Sequence, residues 1–423
     1  MNSRGLSILR FIALALCIEI PLILSYFWMT GDFSVPRFNV WPISEWLINY
    51  QAGFIRRGLA GEIFLKIYGP SALIRHLYIA MFFSYLMYTA AFLLVYLKSG
   101  IRNTNVLLVA VLIQGGIFHM GMASDFYTRK ENIFLIFFSI QCLLYLQIKS
   151  APVSIQKYWL GIYLASLFIV TPSLVLVHEA YIFLSFPISA LLLWILALER
   201  PQDRYLRLAV GLLFCETVIV FLICSVFHGD IAMSQLIWDS LPLTDRLQLS
   251  PAAPYSTFGA ISSLGWGINQ HLSTLYGVIS SGGIFIWIFF AFGNALVLTY
   301  VYIEIDPPKI NGFPSQYLRW ILIGILVLMP IFLVGSDWGR WIASISNQLI
   351  LLMFTLHQSD MFHKPDNNPM PMRLSLFKGF RSRAYLFALC IIYGLLFQMP
   401  ECCADPRTIF APYIHYFSFL VMN

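Results

Sequence analysis

Charge is scarce in this chain of 423 residues. Asp, Glu, Lys and Arg make up 11% of the sequence, whereas soluble domains carry about 25% of these residues. Hydrophobic residues make up 59%, and the mean hydropathy is +0.77. This balance excludes a soluble protein and indicates one that is integral to a membrane. Since the polar gaps are too short to hold a soluble domain, residues 1–423 are predicted to form a single integral membrane domain.

Signals for several other classes of protein are also missing. The net charge of +6 is spread over loops and forms no basic run that would indicate nucleic-acid binding. The seven cysteines show no metal-ligand spacing. The first apolar segment, Leu6 to Met29, is too long for a signal peptide and lacks a small-residue cleavage site. We therefore expect it to be a retained helix.

Long apolar segments recur along the whole chain, and they predict an all-α, polytopic transmembrane helix bundle. About eleven spans are expected, with ends good to a few residues. The predicted spans are residues 8–30, 72–97, 104–120, 132–148, 158–177, 180–198, 208–227, 275–303, 319–335, 341–357 and 384–400.

Lys and Arg residues set the predicted orientation, because cytoplasmic loops carry an excess of them. With the N-terminus inside, 16 of the 26 Lys and Arg residues lie on the inner side and 10 on the outer side. Twelve of the 20 acidic residues also fall on the outer side. The basic residues of the inner loops are therefore interpreted as signals that set the orientation of the chain. The outer loops are rich in both signs of charge, which indicates a functional site there.

Two outer loops are long, at residues 30–71 and 228–273. After Pro42, apolar residues in the first loop recur at roughly helical spacing, which predicts one or two short helices along the membrane surface. The second loop contains "DSLPLTDRLQLSPAAPYS", a polar, proline-rich segment typical of turns.

Two adjacent arginines lie in the first of four charged outer segments, "GFIRRGLAGE", with Arg56, Arg57 and Glu62. Its glycines allow close approach of the backbone. Because arginine binds phosphate bidentately, the pair could hold a pyrophosphate. The alternative is a surface helix whose arginines bind lipid headgroups.

The second segment is "DFYTRKENIF". Asp125 and Arg129 are spaced i,i+4 and can pair on one helix face. Lys130 and Glu131 follow at once, at the mouth of a span, where charges are costly to place near hydrocarbon. The alternative is a solvated helix end with local salt bridges.

The remaining two segments are "LVHEAYIF" and "GSDWGRW". His178 and Glu179 lie between two spans with almost no loop, and a histidine beside a carboxylate can serve in acid–base chemistry. The alternative is a buried polar pair that bridges helix ends. Asp337 and Arg340 are spaced i,i+3 in a tight turn, and the alternative for them is an ion pair that stabilises the turn.

Loops on one side of a helix bundle converge, so the four segments together predict one outer polar cavity for an anionic, lipid-linked ligand. Asp32, just past the first span, is a candidate base for activating a sugar hydroxyl, and the alternative is an ordinary aspartate at the end of a helix. Glu19 and Glu216 lie within predicted spans and are functional candidates because such groups are costly there. The alternative for Glu216 is a neutral group that makes a structural hydrogen bond.

This arrangement resembles the GT-C superfamily of membrane glycosyltransferases, which has a first outer loop with surface helices and an acidic residue just after the first span. The segments "GFIRRGLAG", "DFYTRKE", "HE" and "DWGRW" are also similar to membrane proteins of bacterial polysaccharide clusters, including the O-antigen polymerase-like group. The acidic pair expected in the first loop is absent, since Asp32 is followed by Phe33.

The resemblance implies a glycosyltransferase or polymerase on the outer face of the bacterial inner (plasma) membrane, with a cytoplasmic N-terminus, in cell-surface polysaccharide assembly. Its donor would be a sugar on a polyprenyl phosphate or diphosphate, and its acceptor would be a glycan. The protein would also contact membrane lipids. It would use no nucleotide sugar, no nucleic acid and no cofactor; a divalent metal is compatible with the sequence but not indicated.

The resemblance also implies roles for the site residues. Asp32, or His178 with Glu179, would be the base. The phosphate groups and the leaving group would be held by positively charged side chains. The predicted phosphate- and substrate-binding residues are Arg56, Arg57, Asp125, Arg129, Lys130, Glu131, Asp337 and Arg340.

Two other functions remain open at this point. A flippase or transporter of a lipid-linked glycan or other anion would use similar charges, but transporters often show internal repeats and a matching cluster on the inner side, neither of which is evident. A structural subunit of an envelope complex would not need Arg, Asp and His clustered on one face.

Overall fold

The computed structural model describes residues 3–30, 40–69, 71–122, 127–305, 332, 335–358, 383–400, 402 and 409–410. Within these ranges the chain is helical apart from turns and one isolated bridge between Phe397 and Phe410. The helices are α1 (Ser3–Thr30), α2 (Val40–Trp46), α3 (Gly58–Tyr68), α4 (Leu73–Lys98), α5 (Thr104–Val111), α6 (Ile117–Met122), α7 (Glu131–Ser150), α8 (Val153–Val177), α9 (Tyr181–Leu184), α10 (Phe186–Glu199), α11 (Tyr205–Val226), α12 (Ile231–Ser240), α13 (Leu243–Leu249), α14 (Gly259–Ser262), α15 (Ile268–Ser280), α16 (Gly283–Ile305), α17 (Trp338–Leu356) and α18 (Arg383–Leu396).

Among the described residues, six apolar segments are long enough to cross a membrane: Ile8–Phe27 of α1, and helices α4, α7, α8, α11 and α16. Helices α10 and α18 are apolar but shorter. The predicted polytopic helix bundle is therefore confirmed. The predicted span 319–335 lies mostly outside the described residues.

Helices α7 and α17 form the centre of the bundle. Helix α7 packs against α4, α8 and α17, and α17 packs in addition against α16. Most residues of α17 are buried. Helices α1 and α11 lie at the periphery, where large side chains such as Phe11 and Leu208 are exposed on the bundle surface. In a membrane these side chains face lipid.

Three predicted spans are interrupted rather than continuous. Gly115 separates α5 from α6 with a φ of 73°, and Gly282 separates α15 from α16 with a φ of 82°. These left-handed conformations suit glycine, which has no Cβ. Helix α10 begins just before Pro187, whose ring cannot continue a preceding helix. The interrupted spans are those predicted at 104–120, 180–198 and 275–303.

Two side-chain amides of α17 satisfy backbone carbonyls at these interruptions. Asn347 Nδ2 donates to the carbonyl of Gly115 at 2.9 Å. Gln348 Nε2 donates to the carbonyl of Leu184 at 2.9 Å, and its Oε1 accepts from Ser185 Oγ at 2.8 Å. Since no water reaches the core of a bilayer, such groups need partners inside the protein. The polar residues of α17 therefore hold broken helices together rather than line a path.

The two long loops both fold onto the end of the bundle at which α7 and α17 begin, named here the charged end. The predicted short helices of the first loop are present as α2 and α3. Helix α2 is largely buried, whereas α3 exposes Ile63 and Ile67. From the second loop, Asp245 accepts a hydrogen bond from the backbone N–H of Leu73 at 2.8 Å, at the first turn of α4.

The Asn347 contacts predict a stability effect. Replacing Asn347 with Ala leaves the carbonyl of Gly115 and the hydroxyl of Tyr88, which donates to Asn347 Oδ1 at 2.9 Å, without this partner. We expect the free energy of unfolding in detergent to fall by about 1–3 kcal/mol. Ser225→Ala is the control, because Ser225 is exposed and bonds only within its own helix. Equal effects of the two substitutions would contradict the bridging role of Asn347.

Candidate functional site

A cluster of charged side chains lies at the charged end and joins all four segments singled out in the sequence. We name it the charged cluster. Its members meet through ion pairs and hydrogen bonds: Glu45, Arg56, Arg57, Arg129, Lys130, Glu131, His178, Glu179, Asp337 and Arg340. The structure thus brings together residues of these segments that are as much as 284 positions apart in numbering, between Arg56 and Arg340.

Glu45 lies at the centre of the charged cluster, with 1% of its side chain exposed. Its Oε1 lies 3.2 Å from Arg57 Nη1 and 3.1 Å from His178 Nε2. Its Oε2 lies 3.6 Å from Arg129 Nη1 and 3.8 Å from Arg340 Nη1. One carboxylate from α2 therefore contacts all four predicted segments.

Arg57 is engaged mainly with Glu179. Its Nε lies 2.9 Å from both carboxylate oxygens, and its Nη2 lies 2.6 Å from Oε1. Arg56 Nη1 approaches the same carboxylate at 3.3 Å. The side chains of both arginines are only 18% exposed. This geometry disfavours the alternative that they anchor lipid headgroups from a surface helix.

The backbone at Arg57 is unusual, with a φ of 66° in the left-handed region. A residue other than glycine there costs about 1–3 kcal/mol, and such strain is common at functional sites. The next residue must be small, because a Cβ on Gly58 would lie 2.3 Å from the ring of Tyr50. The glycines of "GFIRRGLAGE" thus permit the close approach that their presence predicts.

Lys130 supports the backbone rather than an exposed ligand site. Its fully buried Nζ donates to the carbonyl of Arg57 at 3.2 Å and to that of Val177 at 3.1 Å. Burial lowers the pKa of Lys130 to about 8. The predicted role in holding phosphate therefore fits Lys130 less well than a role in fixing the chain at Arg57 and at the end of α8.

Arg340, at the start of α17, pairs with Glu131 at the start of α7. The Arg340 Nη1 to Glu131 Oε1 distance is 3.1 Å. The ion pair between Asp337 and Arg340, expected from their spacing, is also present. Two of the predicted site residues, Asp32 and Asp125, lie outside the described residues.

The charged cluster has a small positive excess. It contains five arginine or lysine side chains and four carboxylates, so one positive charge remains when His178 is neutral. Accessibility is uneven, since Asp337 is 27% exposed and Glu179 14%, while Glu45, Arg129 and Glu131 are nearly fully buried. The cluster is therefore exposed to solvent mainly at the side chains of Arg56, Arg57, Glu179 and Asp337.

Two carboxylates of the cluster, those of Glu45 and Glu179, favour their ionised forms. Burial raises the pKa of Glu45, but His178 and the neighbouring arginines outweigh burial and hold it well below its usual range. Burial likewise raises the pKa of Glu179, while Arg57 and then His178 bring it well below its usual range. Both groups are therefore ionised at neutral pH.

His178 lies between two carboxylates and can exchange partners when it takes up a proton. When Nδ1 is unprotonated, it accepts from the backbone N–H of Ala180 at 3.2 Å. When protonated, Nδ1 can donate toward Glu179 Oε2, 3.5 Å away. Burial and Arg57 lower the pKa of His178, but Glu45 and Glu179 outweigh them and leave it raised.

Two residues near the site were not singled out from the sequence. Glu45 lies in the apolar stretch "WPISEWLINY", where a single acid among buried residues is a signal that could have been used. His271, on α15, is the other. Burial lowers its pKa, and so do the positive charges of Arg56 and Arg57, and its ring lies 5.8 Å from that of Trp266 between centroids.

Among the described residues, no group of three or more His, Cys, Asp or Glu side chains is arranged to hold a metal ion. Glu45 and Glu179 are occupied by cationic side chains, which compete with any metal for their oxygens.

Comparison with known proteins identifies a family. A family model described as "Uncharacterised membrane protein Rv1490" matches residues 11–261, and the chain therefore belongs to this family of membrane proteins. The matched range contains Glu45, Arg56, Arg57, His178 and Glu179 but ends before Asp337 and Arg340. No curated protein and no solved structure matches the chain.

The central position of Glu45 predicts a large loss of stability on Glu45→Gln. Removing one partner from a buried ion pair leaves uncompensated charge and costs about 3–5 kcal/mol. Unfolding in detergent, followed by intrinsic fluorescence, measures the change. Asp239→Asn is the control, since Asp239 pairs with Arg246 but is half exposed, and we expect a change within about 0.5 kcal/mol. Similar values for the two variants would show that Glu45 does not hold the segments together.

His178 predicts how stability depends on pH. Because its pKa is raised in the folded protein, it contributes stability that is complete below its ordinary value of 6.5 and lost as pH rises through the folded value. We expect the free energy of unfolding to fall above pH 6.5 by up to about 1.4 kcal/mol per pH unit. His178→Gln should flatten this slope between pH 6.5 and 7.5. An unchanged slope would exclude His178 as its source.

Proposed function

We propose that this member of the Rv1490 family is a membrane glycosyltransferase whose donor is a sugar on a polyprenyl phosphate or diphosphate. The observation that carries the proposal is the charged cluster, in which four distant segments meet at one end of a membrane bundle. The proposal puts this end on the outer face of the bacterial inner membrane, with a cytoplasmic N-terminus, because Lys and Arg are more frequent on the other side.

The charge of the cluster supports an anionic ligand. Its excess is positive, and Arg56 and Arg57 lie on the accessible side. Arg56 makes a single 3.3 Å ion pair with Glu179 among the described contacts, so its guanidinium retains donors for phosphate oxygens. Arg129 and Arg340 lie deeper and contribute mainly through the field that they set up.

Glu179 and His178 supply the acid–base function in this proposal. A phosphate that binds Arg56 and Arg57 competes with Glu179 for the same guanidinium groups and so loosens its ion pairs. The freed carboxylate can accept the proton of an acceptor hydroxyl while that oxygen attacks C1 of the sugar. The bond between C1 and the phosphate oxygen then breaks, and the arginines stabilise the charge of the leaving phosphate.

The packing beneath the cluster favours transfer over transport. Helix α17 begins at the cluster and is buried over most of its length. Its side chains Asn347 and Gln348 donate hydrogen bonds to backbone carbonyls at the α5–α6 and α9–α10 breaks. Passage of a lipid-linked glycan through this part of the bundle would require those contacts to break. Chemistry at one end of the bundle requires no such rearrangement.

The proposal is tested with the purified protein and polyprenyl-phosphate-linked hexoses, by measuring release of sugar to water or to an added glycan. We expect Arg56→Ala to slow release by about 100-fold, the effect typical of removing one donor to a developing anion. The matched control is Arg75→Ala, which removes an exposed arginine from the first turn of α4 at the same end of the bundle.

Equal rates for Arg56→Ala and Arg75→Ala would contradict the assigned site. Donor binding by the wild type without any release of sugar would contradict the enzyme and favour a flippase or transporter of the same lipid-linked anion. Retained unfolding stability of Arg56→Ala would confirm that its loss of rate is not a loss of fold.

A further inference from the structure

Beside the charged cluster lies a group of three aromatic rings that the assigned roles do not use. The rings of Trp41 and Trp266 lie 5.5 Å apart between centroids, with their planes at 55°. The rings of Trp266 and His271 lie 5.8 Å apart at 63°. We name these three residues the aromatic group. All three are partly buried, so each retains some accessible surface.

The aromatic group is fixed next to the centre of the cluster. Trp41 precedes Glu45 by four residues on α2, so the two side chains lie on the same face, one turn apart. Trp266 follows α14, which packs on α2. The backbone N–H of Ala260 donates to Ser44 Oγ at 2.8 Å, which ties the two long loops together at this point.

His271 connects the aromatic group to the accessible side of the cluster. Its ring is influenced by the charges of Arg56, Arg57, Asp337 and Glu179. These are the same four side chains at which the cluster is mainly exposed to solvent. Because Trp41 lies one turn from Glu45 on α2, the aromatic group lies next to the charged cluster rather than on a distant part of the surface.

We propose that Trp41, Trp266 and His271 form a saccharide subsite that holds the sugar ring of the donor while the arginines hold its phosphate. This inference rests on the proposed function and names the part of the substrate that the aromatic group binds. A sugar attached directly to a phosphate must lie beside that phosphate, and Trp41 lies one helical turn from Glu45, which contacts Arg57 at 3.2 Å. Indole faces match the apolar C–H face of a pyranose ring, and an imidazole can hydrogen-bond a hydroxyl.

Two simpler roles compete with this one. The rings could serve only to fasten the first long loop to the second, or the tryptophans could anchor the protein at the membrane interface. If either role were the whole function of the rings, replacing Trp266 would change the affinity for a lipid phosphate equally with and without an attached sugar. The sugar-dependent part of the affinity therefore separates the subsite from both.

The experiment measures the dissociation constants of a polyprenyl monophosphate and of polyprenyl-phosphate sugars for the full-length protein in nanodiscs. The sugar panel contains hexoses, an N-acetylhexosamine and a pentose. For the wild type we expect at least one sugar to tighten binding by about tenfold, as one good aromatic contact allows. Trp266→Ala should abolish this gain and leave the affinity for the bare monophosphate within about twofold of wild type.

Two further variants complete the test. Trp266→Phe should keep most of the gain because it preserves an aromatic face. Tyr255→Ala, which removes a mostly exposed aromatic ring from the same loop, should keep all of it. The subsite would be overturned if Trp266→Ala kept the full gain in affinity from the sugar, or if no sugar tightened binding to the wild type. It would also be overturned if Trp266→Ala lost equal affinity for the bare lipid and for the sugar-bearing lipid. Failure of the wild type to bind the bare monophosphate would instead overturn the proposed function.

Discussion

A carboxylate removed from water needs compensating positive charge, and Glu45 imposes this requirement on the charged end of the bundle. Its oxygens are surrounded by Arg57, Arg129, Arg340 and His178, each from a different segment of the chain. Because an unpaired buried charge is so unfavourable, these segments can come together only in an arrangement that satisfies the carboxylate. The starts of α7 and α17, the end of α8 and the loop before α3 are all positioned around it.

Positive and negative charges nearly cancel within the charged cluster, and its residues fall into two groups by depth. Among the deep members, Glu45 is ion-paired with protein side chains, and Lys130 Nζ donates to two backbone carbonyls and so fixes the backbone. Arg56 and Glu179 lie closer to the surface and can exchange partners with a ligand. The salt bridges that stabilise the fold thus also fix the positions of the more accessible side chains, Arg56 and Glu179. This division explains how a site can be rich in charge and still nearly neutral.

The bundle and the convergence of the four segments follow from the sequence, because hydropathy indicates spans and clustered charges on one side indicate a shared site. The sequence does not reveal how those charges pair. The sequence does not single out Glu45, and it predicts Lys130 as a phosphate ligand, whereas the ammonium of Lys130 donates to two backbone carbonyls. The break at Gly115 was also missed, because its polar partner, Asn347, lies more than 200 residues away.

The central claim is that the charged cluster binds the phosphate of a lipid-linked sugar. The most direct measurement is a cryo-electron microscopy structure of the protein in nanodiscs with a polyprenyl-phosphate hexose bound. We expect density for the phosphate within about 4 Å of the Arg56 guanidinium, with the ion pair between Arg57 and Glu179 loosened. Density for the phosphate at another surface, with those ion pairs intact, would contradict it.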